Sequence, residues 1–148
     1  MSPSREQLLK VTNLTLEALN DVTPESLVRY LSPTARWLLK PDTLGIPPRS
    51  KAEQSKFIGT LQPIMPAFRI FPVQGQEPII DVVARKATIY LKSHCETKAG
   101  LYQNEYVWIF TFNEDGTEID EVIEFVDSLY LNEWLPKLKQ AAEEAAKK

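Results

Sequence analysis

The sequence of 148 residues contains one cysteine, one histidine and only five glycines. The single cysteine, Cys95, excludes an internal disulfide and is typical of a reducing compartment. One histidine, His94, is too few for a histidine and cysteine cluster with metal-ligand spacing, so we expect neither a zinc nor a haem site. No glycine-rich phosphate loop, dinucleotide fingerprint or Gly-x-Ser-x-Gly elbow occurs. If the protein is an enzyme, we expect it to work without a cofactor, by general acid-base chemistry.

Charge and hydropathy exclude further classes of function. The net charge is -3, and the sequence has neither the basic patch of a nucleic-acid-binding protein nor a polybasic run that would bind anionic lipid. No apolar stretch is long enough to span a bilayer, and the N-terminus lacks the apolar segment of a signal peptide. The sequence therefore predicts a cytoplasmic, soluble domain that binds neither nucleic acid nor membrane.

The first part of the chain is predicted to be mainly helical. Apolar residues at helical spacing and capping residues predict three helices, over 4–20, 24–31 and 51–61, with N-caps at Ser4, Thr23 and Ser50. A short apolar strand is predicted over 35–39. A proline-rich loop over 41–49 separates it from the third helix.

The later part of the chain has the pattern of β-strands. Strands are predicted over 68–71, 79–83, 85–97, 102–112 and 119–128. The strand over 102–112 alternates most clearly, with its aromatic residues and Asn104 on one face. A helix is predicted from Leu131, and we expect the domain to occupy 1–136, followed by a polar, frayed tail over 137–148.

Helices followed by a series of antiparallel strands indicate an α+β domain. We expect a curved antiparallel sheet that wraps around the three N-terminal helices. An internal pocket between the sheet and the helices is the natural place for a ligand.

Three residues could carry chemistry in such a pocket. Tyr102 and Tyr106 are four residues apart in one strand, so their hydroxyls share a face and could stabilise a developing oxyanion. Glu124 lies among apolar residues, where burial would raise its pKa towards neutrality. Each also has an ordinary interpretation, because aromatic residues are common in strand cores and a glutamate is common on a solvent-facing strand.

Arg36 is a fourth candidate of this kind, and further polar and aromatic residues could line or support the pocket. Arg36 could orient a substrate oxygen or hold Glu124 ionised, or it could be a surface residue. His94 could carry a proton, although it cannot pair with Cys95 because adjacent strand residues face opposite ways. Asn104 lies between the two tyrosines and could support them. The candidates for the core or the pocket wall are Trp37, Phe57, Met65 and Trp108.

Three segments resemble the fungal SnoaL-like proteins of the NTF2-like superfamily: Pro41–Arg49, Tyr102–Tyr106 and Glu124–Ser128. The resemblance covers nearly the whole chain. It implies a homodimer with a pocket in each subunit, and a cofactor-free isomerase or cyclase of secondary-metabolite biosynthesis. Substrates of such enzymes are indole alkaloids, meroterpenoids or polyketides, and their reactions include semipinacol-type migration. The resemblance also implies a functional set of Arg36, Tyr102, Tyr106 and Glu124, whereas some meroterpenoid-type members carry a histidine in the segment of Trp37.

Two other functions stay open at this stage. The same fold also serves non-catalytic binding or dimerisation modules, and a pocket plugged by Phe57, Met65 or Trp108 would favour such a module. A hydrolase or dehydratase would need His94 and a carboxylate on one face. For the expected dimer, the apolar outer face of strand 102–112, with Val107 and Ile109, is the candidate interface.

Overall fold

The computed structural model describes residues 2–21 and 23–147. These residues contain four α-helices and eight strands, joined by turns and loops. The helices are α1 (Arg5–Leu19), α2 (Pro24–Val28), α3 (Lys51–Leu61) and α4 (Ser128–Ala146), and a 3-10 turn covers Asp42–Leu44. The strands are β1 (Leu31–Lys40), β2 (Arg49–Ser50), β3 (Arg69–Pro72), β4 (Ile79–Asp81), β5 (Lys86–Thr97), β6 (Gly100–Tyr102), β7 (Glu105–Phe112) and β8 (Ile119–Val126).

The first three helices begin at the predicted capping residues. The side chains of Ser4, Thr23 and Ser50 each accept a hydrogen bond from the backbone N–H three residues further on. At Thr23 and Ser50, the side chain of the residue three positions further on also accepts a hydrogen bond from the backbone N–H of the cap residue, which completes a capping box. These local bonds satisfy N–H groups that a helix start would otherwise leave unpaired, which is why the starts are predictable from sequence.

The strands form one curled sheet with the order β2-β1-β8-β7-β5-β3, and β4 and β6 also pair with β5. The pairings are antiparallel except that of β1 with β8, which is parallel. The sheet was expected to be antiparallel throughout. The difference arises because β1 leaves the helical part of the chain and joins the sheet beside its last strand, and a long connection permits parallel pairing.

The main core fills the space between the concave face of the sheet and the helices. Leu8 and Leu16 of α1 belong to the same buried cluster as Ile89, Phe110 and Phe112 of the central strands. Burying the apolar face of α1 against the sheet drives this packing. The α+β architecture, with helices inside a curved sheet, is confirmed.

Some predicted boundaries are wrong. Helix α2 was predicted to continue to residue 31 but ends at Val28, and β1 already begins at Leu31. The predicted strand 102–112 is divided, because residues 103 and 104 lie between β6 and β7.

The C-terminal segment is helical rather than frayed. Helix α4 begins earlier than predicted, with Asp127 as its N-cap, and continues to Ala146. Its length has a packing reason, since Leu138 and Ala141 extend the apolar stripe that Trp134 begins, and all three are buried. Within the described residues, no helix combines the length and the hydropathy that crossing a membrane requires.

Candidate functional site

A cavity of about 360 Å³ lies between the concave face of the sheet and helices α3 and α4. Its walls are mostly apolar, and a small set of polar side chains interrupts them: Arg49, Gln54, Thr60, Tyr102, Tyr106, Glu124 and Lys139. An apolar cavity of this size with a few polar groups is typical of a site for a small organic molecule.

Three residues at one wall form what we call the carboxylate cluster: Trp37, Arg49 and Glu124. Strand pairing brings them together, because Arg49 of β2 lies opposite Trp37 of β1, and β1 lies beside β8, which carries Glu124. The indole Nε1–H of Trp37 donates a hydrogen bond of 2.8 Å to Oε1 of Glu124. The carboxylate therefore has a fixed orientation at the cavity wall.

The environment of Glu124 changes its acidity. Burial raises the pKa of the Glu124 carboxyl, while the hydrogen bond from Trp37 and the positive charge of Arg49 lower it and offset part of that rise. The net direction is upward. A carboxyl with a raised pKa holds a proton more readily than an ordinary glutamate, which suits it to general acid-base catalysis.

Arg49 is held by two contacts of its own. Its guanidinium carbon lies 3.8 Å from the ring centroid of Phe57, and its Nη1 donates to Oε1 of Gln54 at 3.2 Å. Burial lowers the pKa of Arg49, and the carboxylates of Glu124 and Glu53 raise it. An arginine side chain stays protonated in proteins, so Arg49 brings a positive charge to the cavity wall.

A second polar group, the tyrosine cluster, consists of Ser93, Tyr102, Asn104 and Tyr106. Tyr102 and Tyr106 line the cavity, and the two other side chains do not. Nδ2 of Asn104 donates to Oη of Tyr102 at 2.9 Å, and Oγ of Ser93 lies 2.8 Å from Oη of Tyr106. All four residues are at most 5% exposed.

Burial also controls the acidity of the tyrosines. It raises the pKa of Tyr102 to about 12, although the hydrogen bond from Asn104 lowers that pKa. Burial raises the pKa of Tyr106 well above its ordinary value, and the charges of Tyr102 and Glu124 add to this rise. Both side chains are therefore neutral hydrogen-bond donors at physiological pH, not bases.

Helix α4 supports the position of Tyr102. The Tyr102 ring lies 5.5 Å from that of Tyr130 and 5.4 Å from that of Trp134, measured between centroids, with the Trp134 ring edge-on. Oη of Tyr130 also accepts a hydrogen bond of 2.9 Å from the backbone N–H of Gln103. The C-terminal helix thus holds the segment that carries this tyrosine.

Most of the predicted site residues lie where the sequence analysis expected them. Glu124, Tyr102 and Tyr106 line one cavity, and so do the predicted wall residues Trp37, Phe57, Met65 and Trp108. The wall residues leave the cavity open rather than plugging it. Asn104 is buried behind Tyr102 and does not itself line the cavity.

Two further predicted site residues, Arg36 and His94, lie away from the cavity on the outer face of the sheet. Arg36 is exposed on the outer face of β1, because its neighbour Trp37 faces inward and adjacent strand residues alternate. His94 lies on the outer face of β5 for the same reason, next to the buried Cys95, and its Nδ1 is 3.1 Å from Nε2 of Gln103. The prediction that these two side chains reach the pocket is wrong.

The sequence analysis missed four polar residues of the cavity: Arg49, Gln54, Thr60 and Lys139. Arg49 was recognised only as the end of a proline-rich loop, which has no periodicity to show where a side chain points. A usable signal was present: Ser50 caps the next helix, so the residue before it is extended and can pair with a strand. Gln54, 3% exposed in α3, could have been suspected because a buried glutamine needs polar partners.

Metal-ligating side chains do not gather in this site. Among residues 2–21 and 23–147, no three His, Cys, Asp or Glu side chains are grouped so that they could hold a metal ion.

Comparison with known proteins yields close relatives. No family model matches the sequence. The chain is 31% identical over 141 residues to Austinoid biosynthesis clusters protein H of Penicillium brasilianum, covering 94% of this chain and 95% of the relative. It is 29% identical to Monooxygenase dmxR10 of Cryptosporiopsis sp. (strain 8999), covering 84% and 83%.

A solved structure supports the same relationship. The crystal structure of BvnE pinacolase from Penicillium brevicompactum matches with a TM-score of 0.89 and 35% identity, over 93% of this chain and 94% of that one. Sequence and structure agree over nearly the full length of both proteins. The chain therefore belongs to the SnoaL-like family that includes these austinoid biosynthesis and pinacolase proteins of fungal secondary metabolism.

Proposed function

We propose that this protein is a cofactor-independent isomerase or cyclase that rearranges the ring skeleton of a polycyclic, oxygenated secondary metabolite. The substrate would be an indole alkaloid, a meroterpenoid or a polyketide. The observation that carries the proposal is one apolar cavity in which a carboxyl of raised pKa shares the walls with two neutral tyrosine hydroxyls. The similarity to a pinacolase supports a semipinacol-type migration as the reaction.

In this reaction Glu124 is the general base. It takes the proton of a substrate hydroxyl while the C–O bond becomes a carbonyl. As this carbonyl forms, one C–C bond of the same carbon migrates with its electron pair to the adjacent electron-poor carbon, and the electron pair that bonded this second carbon to a nitrogen or oxygen moves onto that atom. Glu124 finally returns the proton to that atom, so the product has the mass of the substrate.

Tyr102 and Tyr106 stabilise the negative charge that develops in the transition state. Because their pKa values are raised by burial, they keep their protons and act by hydrogen bonding. A preorganised donor in a site that excludes water is worth more than the same donor in water.

Arg49 takes the role that sequence analysis assigned to Arg36. Its positive charge lowers the pKa of Glu124 and so favours the ionised form that a base requires. Its remaining N–H groups can also bind a second substrate oxygen.

The apolar walls select the migrating bond. Trp37, Phe57, Met65 and Trp108 surround the polar groups with rigid or space-filling side chains. Holding a polycyclic substrate in one conformation favours the bond that is aligned for migration over its competitors.

The proposal is tested with purified protein and no added cofactor. Oxidised indole-alkaloid, meroterpenoid and polyketide intermediates are incubated with wild type and with Glu124→Gln, and the products are followed by chromatography and mass spectrometry. We expect a new product of unchanged mass from one substrate class, absent with Glu124→Gln. The same product formed by Glu124→Gln at the wild-type rate would overturn the role of Glu124.

Two other outcomes of that assay favour other functions. A product heavier by one oxygen atom would indicate oxygenation, which is how one relative is named. Ligand binding without turnover of any compound would favour a non-catalytic small-molecule-binding module.

The proposal includes a homodimer and a cytoplasmic location. On the outer face of the sheet, Tyr90, Val107 and Phe125 lie side by side on β5, β7 and β8 and are 39%, 38% and 50% exposed. A contiguous apolar patch of this kind is typical of an interaction surface. Analytical ultracentrifugation at micromolar concentration should give a dimer that Val107→Glu dissociates, and a monomeric wild type would contradict the prediction.

A further inference from the structure

Two buried polar residues, Ser93 and Asn104, lie behind the cavity wall, and the proposed reaction gives them no step. Each is 3% exposed, and neither lines the cavity. Both contact a tyrosine hydroxyl that does line it. Because buried polar groups need hydrogen-bond partners, the contacts of these two residues show which atom of each pair donates and which accepts.

The orientation of the Asn104 amide follows from its second contact. Its Oδ1 lies 2.8 Å from the backbone nitrogen of Glu105. A backbone N–H only donates, so the atom that it meets must be the amide oxygen. The amide nitrogen is therefore the atom that faces Tyr102, and it donates to Oη of Tyr102 at 2.9 Å.

The hydroxyl of Ser93 is assigned in the same way. Its Oγ accepts a hydrogen bond of 3.1 Å from the backbone N–H of Asn104. Its own proton still needs an acceptor in a buried place, and Oη of Tyr106, at 2.8 Å, supplies one. Ser93 therefore donates to Tyr106.

Between β5 and the segment that joins β6 to β7, one backbone hydrogen bond of the strand pairing is replaced by a bond to a side chain. The register of β5 is the same on both sides, with Lys92 opposite Glu105 and Cys95 opposite Tyr102. Between these pairs the Asn104 N–H donates to the Ser93 side chain, while the Ser93 N–H still donates to the Asn104 carbonyl at 2.9 Å. The local break in β6–β7 thus belongs to the tyrosine cluster.

We propose that Asn104 and Ser93 are positioning residues that determine the direction of the tyrosine hydrogen bonds. Both tyrosine oxygens accept a bond from behind. The two hydroxyls also interact with each other, and this interaction lowers the pKa of Tyr102 and raises that of Tyr106, as it does when Tyr106 donates to Tyr102. The proton of Tyr102, whose oxygen then accepts two bonds, is the one that is left for the cavity. The substrate then meets the Tyr102 hydroxyl as a donor and is bound through an oxygen or nitrogen acceptor at this wall. The consequence for turnover rests on the proposed function, whereas the hydrogen-bond direction does not.

The decisive variant is Asn104→Asp, which keeps the shape and the bond from the Glu105 N–H but replaces the donor with an acceptor. At pH 8 the new carboxylate, which accepts two hydrogen bonds, is ionised. Tyr102 must then turn its proton away from the cavity. We expect kcat to fall at least tenfold with little change in KM, as in Tyr102→Phe.

A double-mutant cycle separates positioning from general loss of structure. If Asn104 acts through the Tyr102 hydroxyl, then Asn104→Asp should cause no further loss of kcat in a Tyr102→Phe background. Gln103→Glu is the matched control, because it makes the same amide-to-acid change one residue away on the exposed face. We expect it to keep wild-type kcat. Independent, multiplying losses from Asn104→Asp and Tyr102→Phe would overturn the proposal.

A second readout does not depend on turnover. In protein labelled with carbon-13 at tyrosine Cζ, Asn104→Asp should shift the Tyr102 signal and Ser93→Ala should shift the Tyr106 signal, while Gln103→Glu leaves both signals in place. An unchanged Tyr102 signal in Asn104→Asp would contradict the assigned direction. If no substrate is turned over by wild type, the proposed function fails, and these shifts still decide the hydrogen-bond directions.

Discussion

The carboxylate cluster and the tyrosine cluster line the same cavity, but the same physical cause has opposite consequences in them. Burial raises the pKa of Glu124 and also raises the pKa values of Tyr102 and Tyr106. For a carboxyl the rise leads towards neutrality, so the group can exchange a proton. For a phenol it leads away from neutrality, so the group becomes a fixed donor.

The partners of the two clusters match this division of roles. Glu124 has a donor in Trp37 and a nearby cation in Arg49, both of which favour its charged form. The tyrosines have neutral partners, an amide and a serine hydroxyl. A low-dielectric cavity can therefore contain one group that titrates beside two that do not.

The largest expected effect is in the tyrosine cluster. Replacing both donors, with Tyr102→Phe and Tyr106→Phe together, should lower kcat by about 10²–10³-fold, the usual effect of losing preorganised donors to a developing anion. The pH dependence of the remaining activity should equal that of wild type, because the tyrosines do not titrate in the working range. A pH limb that moved in the double variant would show that a tyrosine titrates and would break the comparison.

A smaller effect is expected at Trp37. Since Glu124 must be ionised to accept a proton, kcat should rise with pH through the pKa of Glu124. Trp37→Phe removes the hydrogen bond that lowers this pKa, so the rise should move to higher pH. At pH values below this rise, the kcat of Trp37→Phe should be roughly tenfold lower than that of wild type, which corresponds to the free energy of one hydrogen bond to a charged group. The measurement is the pH profile of kcat, and an unmoved limb would show that the indole does not tune Glu124.

A still smaller shift in the same direction is expected for Arg49→Met, because the charge of Arg49 lowers the Glu124 pKa less than the hydrogen bond does. Arg36→Met is the matched control. It removes the same charge from the outer face of the sheet, where the side chain is exposed. We expect its pH profile to equal that of wild type, and a shift as large as that of Arg49→Met would restore Arg36 as the functional arginine.

The pair of arginines also shows how far sequence could lead. Alternation along the predicted strand 102–112 placed Tyr102 and Tyr106 on one face, and both line the cavity, because a period of two within a strand is a local property. The same rule excluded one earlier expectation: Arg36 and Trp37 are adjacent, so a regular strand cannot direct both into one pocket. That contradiction was visible in the sequence.

Arg49 was missed for a different reason: its extended conformation could be inferred, but its partner strand could not. Its place in the cavity depends on the pairing of β2 with β1 and of β1 with β8, which are contacts between distant parts of the chain. No periodicity in a proline-rich loop encodes such a register. The parallel pairing of β1 with β8 and the packed end of α4 were missed on similar grounds, since each depends on long-range contacts.

The smallest expected effect concerns the Tm of two variants, one in each cluster. Relative to wild type, Glu124→Gln should gain stability as pH rises, whereas Tyr106→Phe should lose stability. Because the pKa of Glu124 is higher in the folded state than in the unfolded state, the folded state binds the extra proton between the two values. The free energy of unfolding therefore falls as pH rises through that window, and it stays lower above it. Glu124→Gln lacks this loss, so its Tm relative to wild type should increase between pH 4 and pH 8.

Tyr106→Phe should behave in the opposite way. It leaves the buried Ser93 hydroxyl without its acceptor, which destabilises the fold at every pH by about 1–3 kcal/mol. At 2–4 °C for each kcal/mol in a domain of about this size, its Tm should fall by several degrees. Calorimetry of both variants at pH 4 and pH 8 makes the comparison. The opposite result would be a Tm of Glu124→Gln that falls relative to wild type between pH 4 and pH 8. The ionised carboxylate would then stabilise the fold, and Glu124 would be a structural anion rather than a proton acceptor held at a cost in stability.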